Sequence, residues 1–474
     1  MKKIARLTLC LFALIFIASS TVWARAGGAG GGHSGGGGGG RGSSGGGSYG
    51  GGYSGGYSRG YTAVGTGYGS GSGSSFPFFI FIIIIVGLYF FVIYRRQNRR
   101  SEQNLESLSE TDSSVVIPGE DIILFRRKVG AAFLAIQESW SRQRVDLMRR
   151  FITDGVYQRF HAQFSMMKKL DLTDVISNIQ VSNIIVVGYH LDGIYEVVDV
   201  QIEASSFDQF ISPKYSFLNS PGGEESFTEY WSFIRRKDHG GKDIFHSDNC
   251  PKCSAPITNK LVESARCPYC GTYINNGDYD WVLAEITQEE DFMPKSESSL
   301  SETTLKISEK IPDYSKQLIE DRASNAFMQI LIAIANKDLT PLTRFSAPEV
   351  MPTFKSWFES SDYIYDRLFL NSVTLLEENV QHDLAQVVID IQYSYRRVHL
   401  QDGRAQLLGD EILKTSAKMV MVRKLTGLSP KGSIYANSCS NCGAPQKDTL
   451  SSVCSYCQAP FSDINREWIV AALS

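Results

Sequence analysis

The sequence predicts an α+β protein: two tandem copies of one unit, behind a single transmembrane helix. Three observations predict it. Helix-period apolar spacing gives way to short runs of β-branched and aromatic residues, the order of an α+β domain. The same pattern restarts about 190 residues later, far beyond the period of a solenoid repeat. Eight of the nine cysteines fall into two blocks of four, one closing each copy.

The chain opens like a secreted protein. Lys2, Lys3 and Arg6 precede the apolar stretch LTLCLFALIFIA, which contains Cys10. Ala24-Arg25-Ala26 fits a small-x-small cleavage site, so residues 1–26 read as a signal peptide cut before Gly27, or as an uncleaved anchor. Residues 27–75 hold 26 of the 43 glycines, interleaved with Ser and Tyr. Such a segment has too little apolar area to offset the entropy of ordering, so it reads as a flexible spacer or a self-associating tract. Residues 76–94, FPFFIFIIIIVGLYFFVIY, carry no charge. As a helix they span a hydrocarbon core of about 30 Å. Arg95, Arg96, Arg99 and Arg100 follow. The positive-inside rule then places the glycine-rich segment outside and the C-terminal body in the cytoplasm. Stop-transfer anchoring explains these arginines, and they can also meet anionic lipid heads. Residues 95–120 read as a linker.

Charge supports the division. All 50 acidic residues lie in 101–474, against 37 of the 47 basic ones, so the body carries −13. Such a surface repels polyanions, and no direct nucleic-acid contact is expected.

In the first domain, 121–247, Val129, Phe133, Ile136 and Trp140 mark one helix face. NIIVVGYHL, YEVVDVQIEA and EYWSFIRRK read as antiparallel strands, and FLNSPGGEES (217–226) as a loop. Residues 248–286 form a cysteine block with a Trp-containing tail, and 287–312 a second linker. A second α+β domain (313–435) and a second block with its tail (436–474) follow. The copies align by residue: Phe151, Val156 and Phe160 with Phe345, Val350 and Phe354; Cys250 with Cys439; Trp281 with Trp468. The offset falls from 194 to 187, as small loop deletions in the second copy would produce. Asp199 and Asp390 recur on matching strands and read as half-exposed carboxylates, with buried acids as the alternative. Trp231 reads as packing.

Cys250, Cys253, Cys267 and Cys270 are spaced C-x2-C-x13-C-x2-C; Cys439, Cys442, Cys454 and Cys457 are spaced C-x2-C-x11-C-x2-C. Two facing CxxC knuckles make a tetrahedral four-sulfur site that suits zinc, and the expectation is two structural zinc ions. Iron in a rubredoxin-like site has similar spacing. Disulfides need an oxidising compartment, which the topology denies them. A thioredoxin-like redox pair would not come as four cysteines twice. Gly271 and Gly443 follow second cysteines, where a small residue lets backbone N–H groups approach the thiolates. A four-thiolate site has no open position for substrate.

No catalytic motif is found. The seven histidines are scattered, and no HExxH, GxSxG or phosphate-cradling loop occurs in its required context. The expectation is a non-enzyme.

The sequence resembles bacterial membrane proteins with Tim-forty-four-like domains, related to the C-terminal domain of the mitochondrial inner-membrane import-motor anchor. The resemblance rests on ARAGG, the single span, FTEYWSFIRR (227–236), the CPxC…CPYCG block and DWVLAEI (280–286). The second unit, with KTSAKMVMVRK and EWIVAAL, is a diverged copy. The resemblance implies a cone-like fold in each unit, a curved antiparallel sheet crossed by helices around an apolar pocket. It implies an inner-membrane location and the docking of partner proteins or ribosomes. The net acidic body argues against ribosomal RNA contact. The function expected is a cytoplasmic protein-binding scaffold in membrane-protein insertion, assembly or translocation. The alternatives are a small hydrophobic-ligand or enzymatic pocket in the cone, and a structural tether for the glycine-rich segment.

Overall fold

The computed structural model describes residues 115–257, 265–295, 301–432, 438–446 and 451–474. The expected leader (1–26), glycine-rich segment (27–75) and span (76–94), with most of the 95–120 linker, lie outside them. Among the described residues no helix is long and apolar enough to cross a membrane.

The first half begins with α1 (Ile122–Ser141). Its N-terminus is capped by the Asp121 carboxylate, which accepts from the N–H groups of Ile123 and Leu124. Val129, Phe133, Ile136 and Trp140 are all buried, so the apolar stripe is the face that meets the sheet. One turn, α2 (Val145–Met148), leads to α3 (Asp154–Lys169). Four antiparallel strands then form a sheet in the order β1-β2-β3-β4: β1 (Thr173–Asp192), β2 (Tyr195–Ile211), β3 (Gly223–Arg236) and β4 (Val282–Gln288). Three register shifts interrupt the β1–β2 ladder, and each bulge bends the sheet and increases its twist.

The second half adds α4 (Glu302–Lys310), α5 (Lys316–Asn336) and α6 (Met351–Ser360). Its strands are β5 (Tyr363–Gln381), β6 (Leu384–Gln401), β7 (Arg404–Leu407), β8 (Leu413–Lys424) and β9 (Ile469–Leu473). They pair in the order β5-β6-β8-β9, with β7 on the far part of β6. Both halves are therefore helices against an antiparallel sheet.

Several boundaries differ from the sequence reading. The Trp-containing segments are sheet strands rather than tails. Trp231 sits opposite Ile286, and Met421 opposite Val470. Each cysteine block is thus an insertion between the third and fourth long strands of its sheet, and does not follow a finished domain. The same latch closes both: before α3, Leu283 N–H donates to the Phe151 carbonyl and its own carbonyl accepts from Thr153 N–H, and before α6 Val470 does the same with Phe345 and Ala347. The expected 287–312 linker contains the end of β4, a 3-10 turn at Glu289–Asp291, and α4, whose Ile307 is fully buried. Within the expected 95–120 linker, Ile117 is buried and Glu120 pairs with Arg235 at 2.5 Å. The 217–226 loop is shorter than expected, because β3 starts at Gly223.

The halves cap each other's helices. Asp192, in the β1–β2 hairpin, accepts from Ser315 Oγ and from the N–H groups of Lys316 and Gln317 at the start of α5. In return Asp321 of α5 hydrogen-bonds Thr153 Oγ1 and the N–H of Gly155 at the start of α3. Both carboxylates meet the positive end of a helix from the other half. Close approach fixes two glycines. A Cβ at Gly193, whose φ is +65°, would lie 2.1 Å from Tyr314 O, and one at Gly155 would meet Asp321.

This joint also explains the burial pattern of β2. Tyr195–Val200 is buried without a break, whereas the rest of the strand alternates. The outer face of that first stretch meets α5: Leu318 packs on Val197, Ile234 and Ala284. A strand covered on both faces shows continuous burial.

The joint has a pH signature. Burial pushes Asp321 up to about 7, against the hydrogen bonds that favour its charged form. An unfolded aspartate titrates near 4. The native chain therefore binds this proton more readily than the unfolded one between about pH 4 and 7. The contribution is fully present below about 4 and lost as pH rises through 7. Asp321→Asn mimics the protonated acid. The variant is expected to gain stability over the parent as pH rises from 5 to 8, measured by urea unfolding. Parallel pH curves would refute the assignment.

Candidate metal centres

Each cysteine block is built from two copies of one turn. In every CxxC, the residue after the second cysteine takes a left-handed conformation: Ser254, Gly271, Gly443 and Gln458 have φ of 59°, 71°, 75° and 60°. That turn lets its N–H donate back to the carbonyl of the first cysteine, at 2.9, 2.9, 2.7 and 2.9 Å. The first cysteine's own N–H in turn reaches the carbonyl of Ala255, Thr272, Ala444 or Ala459. Glycine takes this backbone freely; Ser254 and Gln458 take it at a cost of roughly 1 kcal/mol each. Gly271 and Gly443 thus serve the turn itself. N–H groups face the thiols from two places: those within each CxxC turn face its first cysteine, as Tyr456 N–H does Cys454 at 3.4 Å, and those of Ala255, Ala444 and Ala459 face Cys253, Cys442 and Cys457.

The eight cysteines gather as the spacing predicts. Cys250, Cys253, Cys267 and Cys270 form one group and Cys439, Cys442, Cys454 and Cys457 the other, with all sulfurs of a group within 4.8 Å of one another. The pairs Cys250–Cys270, Cys253–Cys267, Cys439–Cys457 and Cys442–Cys454 each stand 3.7 Å apart. That excludes disulfides, whose sulfurs lie about 2.05 Å apart. Four sulfurs at about 2.3 Å from a central ion have edges of about 3.8 Å, so both groups fit a tetrahedral metal ion. The first cysteine of every CxxC is buried: Cys250, Cys267, Cys439 and Cys454.

The thiols are not equivalent. Burial pushes Cys250 and Cys439 up to about 12. The Ala459 N–H and the Asn441 amide, 3.4 Å from the sulfur, bring Cys457 down to about 6. Burial opposes ionisation of Cys267, but the N–H groups of Cys270 and Tyr269 bring it down to about 7. Each group thus has a sulfur ready as thiolate near neutral pH and others that an ion must deprotonate.

Other singled-out residues separate. Trp231 is fully buried, 5.2 Å from Phe133, with its indole N–H on Glu229. Trp281 and Trp468 are also fully buried. Trp281 lies under the Arg235 guanidinium at 4.1 Å, so DWVLAEI and FTEYWSFIRR meet there. Asp199 corrects an expectation: it is buried, not half-exposed, and Ser232 Oγ donates to it at 2.6 Å. It shares the outer face of the first sheet with Val197, which α5 covers. Asp390 on β6 is half-buried, beside Gln392.

Three residues at the metal centres escaped the sequence reading: Arg266, Tyr273 and Ser438, which together with Gly443 join one block to the other. The signal was the position of Arg266 immediately before a ligand. Elsewhere, Trp140, Gln163, Phe210, Tyr365 and Arg367 line a crevice between the halves of about 280 Å³, open mouth included.

No protein-family model matches the chain, and no curated protein matches it. Among solved structures, it is similar to an Ntf2-like protein involved in plasmid conjugation, at 8% identity over 60% of this chain and 84% of that one. The TM-score of that match is 0.14, too low to carry any argument about fold or function.

Proposed function

We propose that the chain is a membrane-anchored scaffold whose cytoplasmic body binds proteins during membrane-protein insertion, assembly or translocation. In this reading the two centres hold structural zinc, and both halves are Tim-forty-four-like cones. The carrying observation is that the halves cap each other into one body whose core is filled by aromatic side chains, while both metal knuckles present an aromatic tip. Tyr269 is 58% exposed and Tyr456 69%, at matching places in CPYC and CSYC. Exposed aromatics on a rigid support suit protein docking. Four thiolates around an ion leave it no open position for chemistry. The acidic body disfavours ribosomal RNA.

Photo-crosslinkers placed at Tyr269 and Tyr456 in the full chain, in cells, test this. Discrete protein adducts at both positions are expected. Adducts to lipid alone, or none with a metal-loaded chain, would overturn the docking role.

A further inference from the structure

The two metal blocks touch, and the contact is made by residues flanking the ligands. The second knuckle of the first block runs from Arg266 to Tyr273, and the first knuckle of the second from Ser438 to Pro445. Arg266 Nη1 donates to the Gly443 carbonyl at 2.6 Å. Tyr273 OH and Ser438 Oγ share a hydrogen bond of 2.5 Å. The Arg266 guanidinium lies 4.2 Å over the Tyr273 ring, so the two side chains that reach the second block support each other.

Each of these residues is tied to a ligand. Arg266 precedes Cys267 and Gly443 follows Cys442, while Ser438 precedes Cys439 and Tyr273 stands three residues after Cys270. Gly443 is also the left-handed residue whose N–H closes its knuckle on Cys439. Arg266 therefore holds the turn that sets the position of two sulfurs in the other centre. The matching knuckle of the second block carries Val453 and Pro460 in place of Arg266 and Tyr273, so it has no side-chain donor to repeat the contact. The linkage therefore runs from the first block to the second.

We infer that this clamp couples the centres, so that filling one raises the affinity of the other for metal. The inference rests on the metal-centre reading above. An ion needs its four sulfurs already close to their final places, and ordering two knuckles costs conformational entropy. An ion in the first centre fixes Cys267 and Cys270, and with them Arg266 and Tyr273. The clamp then orders Ser438–Gly443 before the second ion arrives, so that ion meets a smaller ordering cost. Linkage makes the effect reciprocal, with a coupling of about tenfold expected, inside the usual 5–150-fold range.

The test uses the full chain in detergent, stripped of metal and titrated with zinc against a chromophoric chelator. Native mass spectrometry counts chains holding zero, one and two ions. Chains with a single ion should be scarcer than independent filling predicts. Cys454→Ser, which disables the second centre, should weaken zinc at the first by about tenfold. Arg266→Gln with Tyr273→Phe keeps all eight cysteines and should abolish both effects. Statistical filling by the parent chain, which needs no variant, overturns the coupling alone. So does a Cys454→Ser effect that persists in the clamp variant. Failure to take up any zinc overturns the metal reading, and the coupling with it.

Discussion

With both cysteine groups loaded with metal, as proposed, chelation is expected to loosen the edges of both sheets, not merely to melt two appendages. The reason is topological. Each metal block lies between the third long strand and the last one, so it holds the last strand in register. In the first half that strand is β4, buried along its whole length and followed by the link to α5. The knuckles are short turns, and a bound ion is what would hold the four sulfurs of each group together. Zinc in comparable peptides contributes about 10–16 kcal/mol of binding, all of it unavailable once the metal is gone. The measurement is hydrogen exchange with and without chelator. The N–H groups of Cys250, Cys267, Cys439 and Cys454 should lose protection completely. Those of Leu283 and Val470, which hold the latches, should exchange at least tenfold faster, a loosening of about 1.4 kcal/mol. Unchanged protection at Leu283 and Val470 would show that the sheets do not depend on the metal.

The second large effect lies at a buried ion pair. Arg159 on α3 makes two parallel bonds to Glu285 on β4, at 2.5 and 2.8 Å, with both side chains almost fully buried. Arg159→Ala should cost about 3–5 kcal/mol, because it strands the Glu285 carboxylate away from water. The cost comes from the charge left behind and not from the worth of the pair. The double variant Arg159→Met/Glu285→Leu should therefore be close to neutral, within about 1 kcal/mol. Urea unfolding of the three chains decides it. A double variant as unstable as the single would mean that the pair itself contributes most of the stabilisation.

What could be read in advance follows from the range of the forces involved. The stripe of Val129, Phe133, Ile136 and Trp140 was legible because one helix surface meets one sheet. The cysteine groups were legible because a CxxC turn is local and needs nothing from the rest of the fold. The burial of Asp199 was not, since its hydrogen-bond partner Ser232 is on another strand and the helix that packs on the neighbouring Val197 lies more than a hundred residues downstream. DWVLAEI reads as a tail in the sequence because its partner strand is separated from it by the whole cysteine block. The strand itself, Val282–Gln288, is buried at all seven positions, yet Glu285, Thr287 and Gln288 are polar, so no continuous apolar run marks it in the sequence. The clamp of Arg266 on Gly443 lies beyond local signals altogether, because it joins residues 177 positions apart.

The exchange of helix caps also sets a timetable for synthesis. When β1–β4 have left the ribosome, α3 still lacks its Asp321 cap and the outer face of the sheet still lacks Leu318. Both arrive only when α5 emerges. At roughly 5–20 residues per second, the first half waits on the order of seconds with apolar Val197, Ile234 and Ala284 uncovered. A chaperone that shields nascent chains has its natural window there, and a pause in translation before Leu318 would lengthen it.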